Sequence, residues 1–217
     1  MRSFSYAQAA ALSLVLVSAA PAGAVEPALI AKSGSGTVVA CASCHGQDGG
    51  GQASFPRLAG MNAAYLLKQL QDYAGGSRTN PVMQSIAKSL TSADRAAMAN
   101  YYAALPIPPA LHGFAAPVAA VGDTGARLAT RGKWSEGIPA CVQCHGPGGG
   151  GVGDAFPAIT GQPAGYIAAQ LTAWQAGTRK NDPLELMRNL SARLTGAEIQ
   201  AVSEWFARQP VAPAGGP

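Results

Sequence analysis

The sequence contains one six-residue pattern, Cys-x-x-Cys-His-Gly, twice. The first copy is CASCHG, beginning at Cys41, and the second is CVQCHG, beginning at Cys141. Together they use all four cysteines of the 217-residue chain. Whatever chemistry the cysteines serve must therefore occur once in each half, and the surrounding residues must fold around it.

Four kinds of site use cysteines in this way. Disulfides within each pair suit an exported chain but leave the adjacent histidines unexplained. A thioredoxin-like redox pair needs a βαβ pattern, and zinc needs a fourth ligand that the sequence does not supply. Covalent haem uses every residue of the motif, with two thioether bonds and one imidazole ligand to iron. We therefore predict two covalently bound haem c groups, held by Cys41, Cys44 and His45 and by Cys141, Cys144 and His145.

The two motifs belong to a longer internal repeat. FPRLAG (55–60) matches FPAITG (156–161), and AAYLLKQLQDYAGGSRTN (63–80) matches AGYIAAQLTAWQAGTRKN (164–181), both at an offset of 101. After a three-residue insertion, MQSIAKSLT (83–91) matches MRNLSARLT (187–195) at an offset of 104. Many matches in one order predict two copies of the same structural unit.

Each copy has the pattern of a helical domain. Apolar residues recur at helical spacing, glycines follow the main helix, and Thr91 and Thr195 each precede an acidic residue by three positions, as in a capping box. Neither copy shows the alternation typical of strands. The predicted fold class is all-α, with two tandem domains at 25–105 and 123–209. A Pro/Ala-rich linker (106–122) contains His112, which we expect on the surface, and a flexible tail follows at 210–217.

Residues 1–24 have the composition of a secretory signal peptide. Arg2 precedes a short apolar run, and small residues stand at 22–24 before Val25. The run is shorter than the roughly 20 residues that cross a bilayer, although an uncleaved anchor is the alternative. Without Arg2 the chain has 14 basic and 11 acidic side chains, a net charge of +3, and no basic run. The sequence thus predicts an exported protein that does not bind nucleic acid.

Each iron needs a ligand on its second face, and the repeat singles out one methionine per half. Three methionines follow the Cys motif within the first half. When the two halves are aligned by the repeat, only Met83 matches a methionine, Met187, in the second half. Met61 and Met98 fall on other residue types. We predict Met83 and Met187 as ligands, in irregular chain between two helices, with methionine as core filler the alternative. The glycine run at 146–151 is expected to be a flexible surface turn.

These motifs resemble the tandem class I c-type cytochromes with two haems, and most closely the cytochrome c4 family. The resemblance rests on the two Cys motifs, FPRLAG and FPAITG, the matched YLLKQL and YIAAQL segments, the methionines and a closing aromatic helix. It implies a periplasmic electron carrier, possible loose association with the inner membrane, and transfer from a quinol-oxidising complex or dehydrogenase to a terminal oxidase. The segment before Cys41 is short and rich in Gly and Ser, which predicts a weak first helix and looser pairing of the domains.

The resemblance also implies individual roles. His/Met coordination is expected at both irons, with the carbonyls of Pro56 and Pro157 accepting the Nδ1–H groups of the two histidines. Arg78 and Arg179 are candidate partners of the haem propionates, with a solvated surface position as the alternative.

A six-coordinate iron has no open position for a substrate, so we predict an electron-transfer protein. Two alternatives remain at this point: a haem enzyme with one open iron acting on thiosulfate or peroxide, and a cytochrome subunit docked on a dehydrogenase.

Overall fold

The computed structural model describes residues 26–112 and 122–211. The signal peptide predicted at 1–24, the second part of the linker (113–121) and the tail from 212 lie outside the described residues. His112, which ends the described part of the linker, is exposed, as the sequence predicts.

The described residues are helical and form no sheet, only isolated bridges between single residues. The helices of the first half are α1 (Pro27–Ser33), α2 (Ala42–His45), α3 (Ala63–Gly75), α4 (Pro81–Ser89) and α5 (Ser92–Ala104). Those of the second half are α6 (Thr124–Thr130), α7 (Cys141–His145), α8 (Ala164–Gln175), α9 (Leu186–Ser191) and α10 (Gly196–Ala207). The helices follow one another in the same order in both halves, as the sequence repeat predicts.

The capping boxes predicted from the sequence are confirmed. In α5 the Thr91 hydroxyl accepts the amide of Asp94, and the Asp94 carboxylate accepts the amide of Thr91. Thr195 and Glu198 make the same two bonds at the start of α10. Each box provides partners for amides that the first helical turn leaves free, so it fixes where the closing helix begins.

The prediction of a weak first helix is wrong. Helix α1 has seven residues, as many as its counterpart α6, and Ile30 and Ala31 on it are buried. It begins with Pro27, whose fixed φ suits a first helical turn, and packs against α5. Packing and a proline start thus stabilise a helix whose Gly- and Ser-rich flank predicts little order.

Each half has its own apolar core. The first contains residues of α1, α3 and α5, and the second contains residues of α6, α8 and α10. The second core includes the aromatic pair Trp205 and Phe206, whose ring centroids are 4.8 Å apart. In both halves the closing helix therefore packs across the opening one, beside the Cys motif.

The two halves pair closely, contrary to the looser pairing predicted. Residues related by the repeat offset face each other: the backbones of Arg78 and Arg179 form an antiparallel bridge, and Gln162 Nε2 lies 3.4 Å from Met61 Sδ. Contacts between equivalent residues are those of a twofold-symmetric dimer. The chain therefore has an approximate internal twofold axis between its halves.

The glycine run of the second half lies on the surface, as predicted, only in part: Pro147, Gly148 and Gly150 are exposed, but Gly146 and Gly149 are buried. Gly149 is buried, with φ of 84°, and a Cβ added there would lie 2.7 Å from Phe206. The turn must lack a side chain because α10 packs directly on it. Among the described residues, no helix is both long and apolar enough to span a bilayer.

Candidate haem site

Both Cys motifs line one continuous cavity of about 1290 Å³. Single ligands commonly occupy pockets of about 300–1,000 Å³, so this cavity has room for more than one. Its lining is mainly apolar and comes from both halves, including Leu66 and Tyr102 of the first and Leu171 and Phe206 of the second. Large planar apolar groups attached at the two motifs fit such a space, which the sparse aromatic side chains do not fill.

The two histidines have the same environment. Nδ1 of His45 lies 2.8 Å from the carbonyl oxygen of Pro56, and Nδ1 of His145 lies 2.7 Å from that of Pro157. Burial lowers the pKa of both imidazoles, while the bonds to the carbonyls act in the opposite direction. A neutral ring that donates from Nδ1 keeps its Nε2 lone pair free, which is the form that binds a metal.

The four cysteines of the two motifs share this cavity. All four are free thiols that line the cavity. Burial raises the pKa of Cys41 and raises that of Cys141 to about 11. Both are therefore uncharged at neutral pH, and neither is a reactive thiolate.

Met83 and Met187 line the same cavity and are half-buried. The expected irregular chain around them is wrong, because they lie in the first turns of α4 and α9. The amide of Met83 donates to Asn80 Oδ1 at 3.0 Å, and the amide of Met187 donates to Asp182 Oδ2 at 2.6 Å. Each backbone is thus held by one side-chain oxygen, neutral in the first half and acidic in the second.

The remaining methionines of the first half have other contacts. Met98 is 2% exposed within the first core, and its repeat counterpart Val202 occupies the second core. Met61 is 4% exposed, and its sulfur accepts the amide of Gln162 across the interface. Both line the cavity, but their packing and this contact already account for their positions.

Arg78 and Arg179 are buried between the halves, so the solvated alternative is wrong. Arg78 donates to Gln69 at 2.8 Å and to Gln170 at 2.7 Å, and Arg179 donates to the same two glutamines at 3.2 and 3.0 Å. Each glutamine therefore accepts from its own half and from the other. The guanidinium groups also lie over aromatic rings, with Arg179 3.9 Å from the centroid of Trp174.

The glutamines and tyrosines of this cluster are not among the residues predicted from the sequence. The sequence does contain a pattern that marks these residues. Tyr65 and Gln69 are four residues apart on α3, and they recur unchanged as Tyr166 and Gln170 on α8. Residues four apart share one helix face. Identical polar residues at matched positions on one face of each copy are what a twofold interface needs.

This cluster is cationic. In the described part of the chain, no carboxylate forms an ion pair with Arg78 or Arg179. Burial acts to raise the pKa of Tyr166, yet the two guanidinium charges outweigh it and lower that pKa. Because both arginines line the cavity, its wall favours an anionic group such as a haem carboxylate.

Comparison with known proteins agrees with this geometry. The cytochrome c family model matches residues 31–105. The thiosulfate dehydrogenase electron acceptor of Thiomonas intermedia (strain K12) is 48% identical over 175 residues, covering 80% of each protein.

Two solved structures are similar over most of the chain. Thiosulfate dehydrogenase (TsdBA) from Marichromatium purpuratum, in its as-isolated form, has a TM-score of 0.78 and 41% identity over 87% of this chain, which spans only 41% of that structure's chain. Reduced recombinant cytochrome c4 from Pseudomonas stutzeri has a TM-score of 0.69 and 36% identity, covering 78% of this chain and 93% of that one.

Proposed function

Because the chain belongs to the cytochrome c4 family of diheme c-type cytochromes, we propose that it accepts electrons from a thiosulfate-oxidising dehydrogenase and delivers them to a second redox protein. It is an electron-transfer protein rather than an enzyme, and it binds two covalently attached haem c groups. One observation carries the proposal: a single cavity lined by both Cys motifs, enclosed by both halves.

The bound haem iron supplies the chemistry, a reversible change between Fe(II) and Fe(III). The protein's residues fix and tune it. In this proposal Cys41, Cys44, Cys141 and Cys144 would anchor the porphyrins. His45 and His145 would offer Nε2 to iron, with their rings oriented by the carbonyls of Pro56 and Pro157. Met83 and Met187 would each supply a sulfur ligand, which would leave no position for a substrate.

We assign the haem carboxylates to Arg78 and Arg179. The support is their burial, their place on the cavity wall and the lack of a described carboxylate partner. A buried charge is costly unless it is paired, and a porphyrin carboxylate would pair it. Since each guanidinium group contacts both halves, the two charges would be available to haem carboxylates in either half.

The partners and location follow from the relatives. Two relatives named as electron acceptors of thiosulfate dehydrogenase are each 48% identical to this chain, which favours such a dehydrogenase as donor. A quinol-oxidising complex is the other donor that the family resemblance implies, with a terminal oxidase as acceptor. We place the protein in the periplasm, with domains at 25–105 and 123–209, and loose membrane association is compatible with this function.

The donor is tested by stopped-flow absorbance of the purified oxidised protein. Thiosulfate with a catalytic amount of thiosulfate dehydrogenase should reduce both haems, taking two electrons per chain, whereas thiosulfate alone should not. Reduction only by a quinol-oxidising complex would overturn the thiosulfate assignment. Reduction by thiosulfate alone, or rapid binding of carbon monoxide to the reduced protein, would instead favour an enzyme with an open iron.

The methionine ligands are tested by substitution. Met83→Ala and Met187→Ala should each abolish the Fe(III)–thioether charge-transfer band of one haem and lower its potential. Met61→Ala and Met98→Ala are matched controls in the first half, and both should keep the band. Loss of the band in Met61→Ala would show that the repeat alignment assigns the wrong sulfur.

A further inference from the structure

Arg57 lies between the halves at a position that the repeat does not share. Its Nη1 donates to the carbonyl of Ala59 at 2.6 Å, and its Nη2 donates to the carbonyl of Thr160 at 3.2 Å. Ala59 and Thr160 are equivalent positions, at the repeat offset of 101. The guanidinium group therefore bridges the same point of both copies and lies near the internal twofold axis.

The charge of this arginine is buried without a counter-ion. Arg57 is 1% exposed, among the largest fully buried side chains. Both contacts of the guanidinium group are to neutral carbonyls, its Nε has no partner, and no described carboxylate pairs with it. Burial lowers its pKa to about 10, so the group stays protonated at neutral pH.

The equivalent residue of the second half is Ala158. A side chain on a twofold axis can be present only once, because its symmetry mate would occupy the same space. Two arginines there would also place like charges together in a buried site. A single charge near the axis thus explains why FPRLAG has Arg57 where FPAITG has Ala158.

Arg57 also lines the cavity and follows Pro56, whose carbonyl holds the His45 ring. Its second contact, Thr160, lies three residues beyond Pro157, whose carbonyl holds the His145 ring. The charge therefore lies beside the segments that support both histidines. Oxidation of a nearby iron adds positive charge, which a buried cation disfavours because little solvent screens it.

We infer that Arg57 is a shared electrostatic group that raises the reduction potentials of both haems together. Arg57 acts through its position near the internal axis. This role depends on the two proposed haem sites but not on the identity of the redox partner. A common shift keeps the driving force between the two haems unchanged while setting their joint potential relative to external partners.

The test is an optical redox titration of the holoprotein carrying Arg57→Gln, compared with Arg57→Lys. Unit charges about 10 Å apart at an effective dielectric constant of about 20 shift an equilibrium by about tenfold. We therefore expect Arg57→Gln to lower each midpoint potential by about 59 mV, which is the equivalent of a tenfold change for a one-electron couple. Arg57→Lys keeps the charge and should lie close to the wild type.

A second pair of variants leaves Arg57 in place. Ala158→Asp adds a carboxylate within the same interface and should also lower both potentials, whereas the neutral Ala158→Asn should not. Arg208→Gln is the surface control, since the Arg208 side chain is 54% exposed. This pair tests whether a charge in this interface acts on both haems, as the inference requires, even if Arg57→Gln does not fold.

The outcomes are distinct. A shift of both potentials in Arg57→Gln but not in Arg57→Lys supports the shared role, and a shift of both in Ala158→Asp supports its premise that a charge in this interface reaches both haems. A shift confined to one haem, or none in a folded variant with both haems attached, overturns it. Failure of the proposed partner would leave these shifts unchanged, since the titration uses no partner protein.

Discussion

Gly125 allows the opening helix of the second half to pack against the closing one. It lies in α6, is buried, and has no left-handed backbone. A Cβ added there would lie 2.3 Å from the carbonyl oxygen of Ala201 and 2.9 Å from Cβ of Trp205. Both atoms belong to α10, and one is backbone, so a rotamer change cannot relieve the contact. Gly125→Ala must therefore move the two helices apart.

The magnitude follows from two opposing effects. Overpacking of a well-packed site costs about 1–3 kcal/mol, and the better helix propensity of alanine recovers about 0.5–1 kcal/mol. We expect a net loss of about 1–2 kcal/mol. For a domain of about 150–250 residues, each kcal/mol lowers Tm by about 2–4 °C, which gives a fall of about 2–8 °C.

The assay is thermal unfolding of the holoprotein, followed by far-ultraviolet circular dichroism and by haem absorbance. Since Val202 and Phe206 of α10 line the cavity, the haem signal of the second half should change along with Tm. Gly196→Ala is the matched control, because that glycine begins α10 and no atom lies within 4 Å of its added Cβ. Equal Tm values for Gly125→Ala and Gly196→Ala would refute the close-packing argument.

Three further predictions concern the second half. Asp182→Ala should weaken the Fe(III)–thioether band of one haem, because it releases the Met187 amide. Asp182→Asn keeps an acceptor oxygen and should retain the band. Equal spectra for the two variants would contradict this positioning role of Asp182. Thr195→Ala removes one side of a capping box and should cost about 1 kcal/mol in the free energy of unfolding, measured by denaturant titration, with Thr91→Ala as its counterpart in the first half. Hydrogen bonds from the amide of Thr195, and then from Lys133, lower the pKa of the Glu198 carboxyl in the folded protein. The carboxylate therefore contributes its full stabilisation above its unfolded-state pKa and loses it as the pH falls through its folded-state pKa. On acidification, Tm should fall less in Glu198→Gln than in the wild type.

Local features of the fold could be predicted from the sequence. The capping boxes at Thr91 and Thr195 are confirmed because all their atoms lie within one helical turn. Helix α4 could also have been found, since Asn80 and Pro81 are typical N-cap and first-turn residues. Helix α9 has no such signal, because Glu185 at its N-cap has a left-handed backbone and makes no side-chain cap.

Local sequence patterns do not predict the interface between the two halves. The burial of Arg78 and Arg179 depends on glutamines from the opposite half, about a hundred residues away in sequence. Arg57 differs from Ala158 in a way that gains meaning only once the halves are paired. The repeat predicts two units, but how they pair depends on which surfaces fit together in three dimensions.

The shared cavity has a consequence for maturation of the protein in the cell. Since its walls come from both halves, a group bound in one half covers apolar surface that the other half contributes. A chain that carries only one haem would leave part of this apolar wall uncovered. Attachment of both haems should therefore stabilise the pairing of the two halves as well as each half itself.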